Sequence, residues 1–340
     1  MASPPVGYSY ESDYFNTISQ GIVGNRLIIE TRSSGTGKTR SAINRLVRLC
    51  SPFLWNHKTK QFEPNKNGQG HSGLYLGSEM SLKLEIQPMI VSFIAGVSEK
   101  KLRAKTLNED EKQRIEQAME YSKQAKIFQE NNPDFTIRWI EQTVEKYKRD
   151  YNIKLVCLDY IELTPFLAQE YAEQMVGVHP REDIVLLNFS KCMKERVCKP
   201  YDITMIAYTQ TNVEGNSGAR DSTAIKGSKA LINKADLGLT VFRPTPKELK
   251  ILEPIIMEKS KGFGRKLIPN ICYSAYKMRW FSFTSEEGNK VPYTMIKIWG
   301  IQGLGDGNFI DCFVTNEQYE LIDLPKTKIN INLENKGEDN

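Results

Sequence analysis

Histidine is scarce, with three residues in a chain of 340. The six cysteines are scattered, and no two form a C-x-x-C pair. Cys192 and Cys198 therefore lack the company that a zinc site needs. Cys157 sits inside an apolar run and reads as a reduced core residue. No apolar run is long enough to span a bilayer, and no signal peptide opens the chain; the cytoplasm is the expected compartment. Neither sign of charge dominates. The formal charge of +5 permits a polyanionic partner without requiring one. There is no internal repeat. What remains is ordinary for a globular chain, 40% hydrophobic and 26% charged, with length for one large α/β domain or two small ones and a core that needs no staples.

One further absence falls at the stretch around which the chain is organised. Leu27–Ile28–Ile29–Glu30–Thr31–Arg32–Ser33–Ser34–Gly35–Thr36–Gly37–Lys38–Thr39 reads as a buried strand, a small-residue turn and a helix start. That is the setting of the phosphate-binding pattern G-x-x-x-x-G-K-[ST], but Arg32 stands where its first glycine belongs. Gly35 and Gly37 allow the backbone to curl so that successive N–H groups face an anion. The helix starting near Lys38 adds the positive end of its dipole. Ser34, Gly35, Thr36, Gly37, Lys38, Thr39 and Arg40 form the expected nucleotide-binding set. Within it, Lys38 is expected to reach the β- and γ-phosphates, and the Thr39 hydroxyl to ligate Mg²⁺.

Along the chain, residues 1–25 read as a lead-in of short helical or turn character. Helix positions Ala42, Ile43, Leu46, Val47 and Leu49 share one face. Residues 51–73 read as an irregular excursion. Leu74–Ser78 reads as a short strand, followed by a helix through Ile94. Asn108 caps a helix expected to run to about Phe128, and Thr136 caps another over Ile137–Tyr151. Leu155–Asp159 is continuously apolar until its last residue, as in a parallel strand covered on both faces. A long connection over 164–182 and a helix over 183–197 follow. Strands are expected at 203–208 and 237–242. From 251 on, strands at 253–258, 269–275, 280–284 and 294–299 suggest an antiparallel extension, and residues 326–340 suggest a disordered tail. The expected fold is an α/β domain over 26–325 with a mostly parallel central sheet, flanking helices and antiparallel strands at its C-terminal edge.

Ligands of such sheets sit beyond the carboxyl ends of the strands. Besides the phosphate loop, Glu79, Asp159 and Gln210 fall there. ATP hydrolysis needs a metal-bound phosphate, a group to orient or activate water, and a sensor of the γ-phosphate. Asp159 suits the metal, Glu79 the water and Gln210 the sensor. Each also has an ordinary structural reading as a strand-end or helix cap.

Gly-Ser-Glu-Met-Ser at 77–81, Leu-Asp-Tyr-Ile-Glu-Leu at 158–163, Tyr-Thr-Gln-Thr-Asn at 208–212, Lys-Ala-Asp-Leu at 234–237 and Lys-Met-Arg at 277–279 follow the phosphate loop in that order. The ordered set resembles the RecA-like motor domain of DnaB-type replicative DNA helicases over roughly residues 6–315. The resemblance implies a RecA-like P-loop NTPase that uses ATP and Mg²⁺, translocates on single-stranded DNA and works as a ring, most simply a hexamer. Lys277 and Arg279 would reach a neighbour's nucleotide as a basic finger, although Trp280 replaces the small turn residue expected next. The central-channel loop would correspond to about 220–230, where Arg220, Lys226, Gly227, Ser228 and Lys229 suit sequence-blind phosphate contact. No stacking aromatics accompany them. Nothing ahead of Gly7 could encode the collar domain that contacts primase in that family. The pattern is that of a motor alone, whether the collar was removed or never existed, as in a phage or mobile-element version. A primase or a helicase loader is a possible partner class. Two other readings stay open: a recombinase-like filament ATPase, and an ATP-binding clamp or loader-like protein with little turnover.

Overall fold

The computed structural model describes residues 7–10, 12–33, 35–57, 59–67, 70–174, 181–210, 229–261, 266–279, 283–284, 290–291, 296–302 and 309–315. Thirteen strands are present among them: β1 (Arg26–Arg32), β2 (Phe53–Asn56), β3 (Gln61–Pro64), β4 (Ser72–Gly77), β5 (Lys126–Asn131), β6 (Leu155–Asp159), β7 (Thr204–Gln210), β8 (Leu237–Phe242), β9 (Ile271–Met278), β10 (Phe283–Thr284), β11 (Lys290–Val291), β12 (Lys297–Gln302) and β13 (Phe309–Thr315). The helices are α1 (Asp13–Ser19), α2 (Lys38–Cys50), α3 (Gln87–Ala95), α4 (Glu99–Ala104), α5 (Glu109–Gln124), α6 (Ile137–Tyr151), α7 (Pro165–Gln174), α8 (Glu182–Cys192), α9 (Pro246–Ile251) and α10 (Glu253–Ser260).

Nine strands form one sheet in the order β13-β12-β9-β8-β1-β7-β6-β4-β5. From β8 to β5 every neighbouring pair is parallel. β9, β12 and β13 add on antiparallel at the β8 edge. This is the expected RecA-like architecture. The central strands β1, β4, β6, β7 and β8 are buried on both faces, their side chains alternating between two clusters. In β1, Leu27 and Ile29 pack with α6, α7 and α8 residues such as Ile140, Leu167 and Phe189. Ile28 points the other way, into a cluster with Phe15 of α1, Ile43 and Leu46 of α2, and Ile90 of α3. The described part of the lead-in is thus core material, with Tyr14, Phe15 and Ile18 buried.

Helix starts follow the sequence closely. Asn108 and Glu111 make a reciprocal capping box on α5, and Thr136 caps α6. The start of α6 gains a second anchor from α7: Glu170 accepts from the N–H of Ile137 at 2.6 Å and of Arg138 at 2.9 Å. A carboxylate there meets two orphan donors and the positive helix end. Glu170→Ala is expected to lower stability by about 1 kcal/mol, read as a lower urea midpoint with unchanged slope.

Several expectations fail locally. Residues 253–258 are not a strand but the start of α10, with Pro254 in its first turn and Ile256 packed on Leu252, Leu267 and Trp299. The helix expected to reach Phe128 stops at Gln124; Lys126–Asn131 is an edge strand paired with β4. Residues 51–73 contain the hairpin β2–β3. The connection over 164–182 carries α7, and β13 extends the sheet beyond the last expected strand. The tail 326–340 lies outside the described residues.

Cys50, Cys157, Cys192, Cys198 and Cys272 are buried thiols that form no disulfide with one another. No helix among the described residues is long and apolar enough to cross a membrane.

Candidate nucleotide site

The carboxyl ends of four adjacent parallel strands make the site. β1 lies between β7 and β8, and its last residue, Arg32, is level with Gln210 of β7. Gly77 of β4 is level with Asp159 of β6. The turn after β1 is a tight one. Gly35 and Gly37 adopt φ of +72° and +76°, values at which a side chain would be strained. α2 then starts at Lys38 on Gly37, with no side-chain cap on its first N–H groups. Anion affinity at such a start is a property of the backbone.

Four of the expected residues come together here. The Thr39 hydroxyl donates to Asp159 Oδ2 at 2.5 Å, and the Tyr75 hydroxyl donates to the same oxygen at 3.1 Å. Burial pushes the Asp159 carboxyl up, opposed by the Thr39 bond and the Lys38 charge. A buried carboxylate beside a hydroxyl is a hard-oxygen pair suited to Mg²⁺, which keeps most of its shell as water and phosphate oxygen. Among the described residues there is no group of three or more His, Cys, Asp or Glu that could hold a metal. The Lys38 ammonium stands 4.3 Å from the centre of the Tyr160 ring. The Tyr160 phenol donates to Glu162 at 3.0 Å, and burial, with the charges of Glu162 and Glu79 beside it, pushes its pKa up. Glu79 is exposed, in the segment that follows β4. The Ser78 N–H ties that segment to the Asp159 carbonyl at 3.1 Å.

Gln210 lies next door. With Tyr160, Glu162, Glu182 and Thr209 it lines a cavity of about 270 Å³. On the other side of the loop, Arg243 donates to the Gly35 carbonyl at 3.0 Å. A second cavity of about 330 Å³ opens there between Gly35, Thr36, Arg243, Pro244, Pro269 and Asn270.

Other expected residues stand apart. The Arg40 guanidinium is engaged by Glu99 of α4 at 2.9 Å. Lys277 donates to the carbonyls of Ile232 and Asn233 at 2.7 and 2.8 Å, and burial followed by the Arg279 charge lowers its pKa. Arg279, half-exposed, pairs with Asp236 at 3.3 Å. Both cations are thus engaged within their own chain. Ser34, Arg220, Lys226, Gly227 and Ser228 lie outside the described residues, as does the side chain of Lys229, whose backbone begins a 3₁₀ helix over Lys229–Lys234.

Sequence reasoning missed the group beneath the loop. Glu30, Arg32 and Arg45 are fully buried. Arg32 Nε and Arg45 Nη1 lie 2.5 and 2.7 Å from the two Glu30 oxygens. Burial alone would raise the Glu30 carboxyl, but the two guanidiniums outweigh it and hold it below the usual carboxylate range. Arg45 also donates to the Tyr208 hydroxyl at 2.9 Å. A charged residue inside an otherwise apolar strand was the available signal, shared by Glu30 and Arg32.

Comparisons with known proteins bear on the family and the fold. The family model for the DnaB-like helicase C terminal domain matches residues 7–262. The chain is 30% identical over 332 residues to an SPbeta prophage-derived uncharacterized protein, YorI, of Bacillus subtilis, covering 96% of this chain and 62% of that protein. It is 24% identical over 143 residues to the replicative DNA helicase DnaB of Rickettsia bellii, covering 42% of this chain and 27% of that protein. The chain thus spans less than two thirds of each of these relatives. Among solved structures, one of an isolated ATPase domain superposes with a TM-score of 0.62 at 13% identity, covering 89% of this chain and 90% of that one. A DnaB-like replicative helicase described with its interactions with primase gives 0.61 at 13% identity, over 89% of this chain and 61% of that one. At such identity these two speak to the fold alone.

Proposed function

The chain belongs to the DnaB-like helicase C-terminal domain family, and from that premise we propose that it is an ATP-hydrolysing motor that moves along single-stranded DNA and separates duplexes as a ring, most simply a hexamer. The observation that carries this reading is the meeting of Thr39, Asp159, Lys38 and Glu79 at the carboxyl edge of one parallel sheet. Loop N–H groups, Lys38 and the α2 dipole would hold the phosphates. Thr39 and Asp159 would hold Mg²⁺, which when bound offsets phosphate charge. Glu79 would accept the proton of the attacking water. Gln210, level with the loop's origin, would report the γ-phosphate state to the segment that follows β7. Arg220, Lys226, Gly227, Ser228 and Lys229 would contact the DNA backbone, where cations and amides bind without reading sequence.

Lys277 and Arg279 would act on a neighbour's nucleotide, and the present ion pair of Arg279 can be exchanged at small cost. The Arg279 guanidinium is half-exposed although Asp236 is buried, so the pair is worth on the order of 1 kcal/mol. Asp236 keeps the Lys194 ammonium and the Leu27 N–H, each at 2.8 Å, when Arg279 leaves. Arg279→Ala is therefore expected to retain nucleotide binding and to lose about 10²–10³-fold in turnover, as removal of a cation aimed at transition-state charge does. Retained turnover would remove the trans role.

The experiment that tests the whole reading is ATPase activity with and without single-stranded DNA, measured against protein concentration. A site completed by a neighbour gives turnover per chain that climbs steeply with concentration and is stimulated by DNA. Turnover indifferent to both would sink the proposal, and electron microscopy of the DNA-bound form separates a ring from an open filament.

A further inference from the structure

Arg32 occupies the position that a phosphate loop ordinarily gives to glycine, and its side chain turns under the loop. Its guanidinium is fully buried and reaches four partners on three elements and the loop itself. Nε lies on Glu30 of the same strand. Nη2 donates to Ser41 Oγ of α2 at 3.0 Å and to the Tyr273 hydroxyl of β9 at 2.8 Å. Nη1 donates to the Thr36 carbonyl at 2.7 Å. The last of these lies directly before Gly37 and Lys38.

A trans peptide points its C=O and the next N–H in opposite directions. A donor that holds the Thr36 carbonyl from below therefore turns the Gly37 N–H to the opposite side. Two further carbonyls of the turn are held in the same manner. Ser33 O accepts from the Thr36 hydroxyl at 2.7 Å, and Gly35 O accepts from Arg243 at 3.0 Å. With the Ser33, Gly35 and Thr36 carbonyls occupied by protein donors, the N–H groups opposite them are left for an anion. The guanidinium is planar and rigid, so its anchorage on β1, β9 and α2 fixes the direction of the loop bond as well as its presence.

Resting on the nucleotide-binding reading above, we propose that Arg32 is a positioning residue for the phosphate loop: it replaces the glycine of the usual pattern and orients the Thr36–Gly37 peptide for phosphate. It touches no substrate; it acts through that peptide. Lysine at this place can keep the ion pair with Glu30, but one ammonium cannot span Glu30, Thr36, Ser41 and Tyr273.

The test compares the wild-type chain with Arg32→Lys and Tyr273→Phe by calorimetric titration with Mg·ADP, by the KM and kcat for ATP, and by urea unfolding. Loss of the loop bond in Arg32→Lys is expected to weaken Mg·ADP binding and raise the KM by about tenfold, with kcat within about threefold. Tyr273→Phe removes only a lateral support of the guanidinium and is expected to weaken binding by about threefold at a near-native urea midpoint. Wild-type affinity in Arg32→Lys or, should that variant not fold, in Tyr273→Phe would overturn the role of Arg32 and leave the nucleotide reading standing. No Mg·ADP binding by the wild-type chain would overturn both.

Discussion

Lys38→Ala is expected to remove ATP turnover while leaving the fold as it is. The two halves of that expectation have separate physical grounds. Lys38 is the first residue of α2 and contributes no side chain to the core around Ile43 and Leu46. Among its contacts is the face of the Tyr160 ring, 4.3 Å away, and its charge also acts on Asp159. A cation over an aromatic face at a partly exposed site is worth roughly 0.5–1 kcal/mol. The melting temperature should therefore fall by no more than a few degrees, by about the 2–4 °C per kcal/mol expected of larger domains. Turnover is another matter. The ammonium is the point charge that the loop offers to the β- and γ-phosphates, and the bond to be broken spreads charge over those oxygens. Removing one fixed donor of that kind costs about 10²–10³-fold in rate. The measurement is steady-state ATPase at saturating single-stranded DNA, with a thermal melt of the same preparation. A variant that melts like the wild type and keeps more than about a tenth of its turnover would show that Lys38 is a surface lysine on an ordinary strand–turn–helix.

How far the sequence carried can be judged from particular elements. Leu155–Asp159 was legible because a strand covered on both faces has no polar positions until it ends, and β6 is buried from its first residue to Asp159. The α6 start at Thr136 was legible because its cap is local, with Thr136 Oγ1 accepting from the Trp139 N–H at 3.1 Å. β5 was not. Its segment Lys-Ile-Phe-Gln-Glu-Asn continues the polar texture of α5, and only the hydrogen bonds of β4, far earlier in the chain, make it a strand. α10 was misread for the converse reason. Ile255, Ile256 and Met257 have the look of a β run, but Pro254 in the first turn and the fit of Ile256 against Trp299 settle it as helix.

The candidate site divides in the same way. That Thr39 and Asp159 would face one another was legible because Asp159 ends an apolar strand and Thr39 follows the Gly-Lys of the loop at the start of α2. Arg32 was visible as a departure from that pattern, but its meaning was not. Tyr273, which fixes the guanidinium, lies 241 residues away in sequence. A buried charge can be noticed locally, while its partners are known only from tertiary structure.

Glu79→Gln should separate binding from chemistry more sharply than any other substitution in this chain. Glu79 is exposed, in the segment that follows β4, and the Ser78 N–H bond to the Asp159 carbonyl that fixes this segment is made by backbone. The amide keeps the shape of the side chain, and the Tyr160 phenol keeps its bond to Glu162. Stability should therefore change by less than about 0.5 kcal/mol, as at an ordinary surface position. Mg·ADP affinity should also hold, because the phosphate-binding N–H groups, Lys38, Thr39 and Asp159 are untouched. An amide, however, cannot take a proton from water at neutral pH, and loss of a positioned base costs about 10²–10⁴-fold in turnover. The expected signature is a chain that binds ATP, assembles and engages single-stranded DNA but scarcely turns over. Equal loss of Mg·ADP affinity and turnover would assign Glu79 to shaping the pocket instead. Turnover within about threefold of wild type would overturn the role of Glu79 as the base.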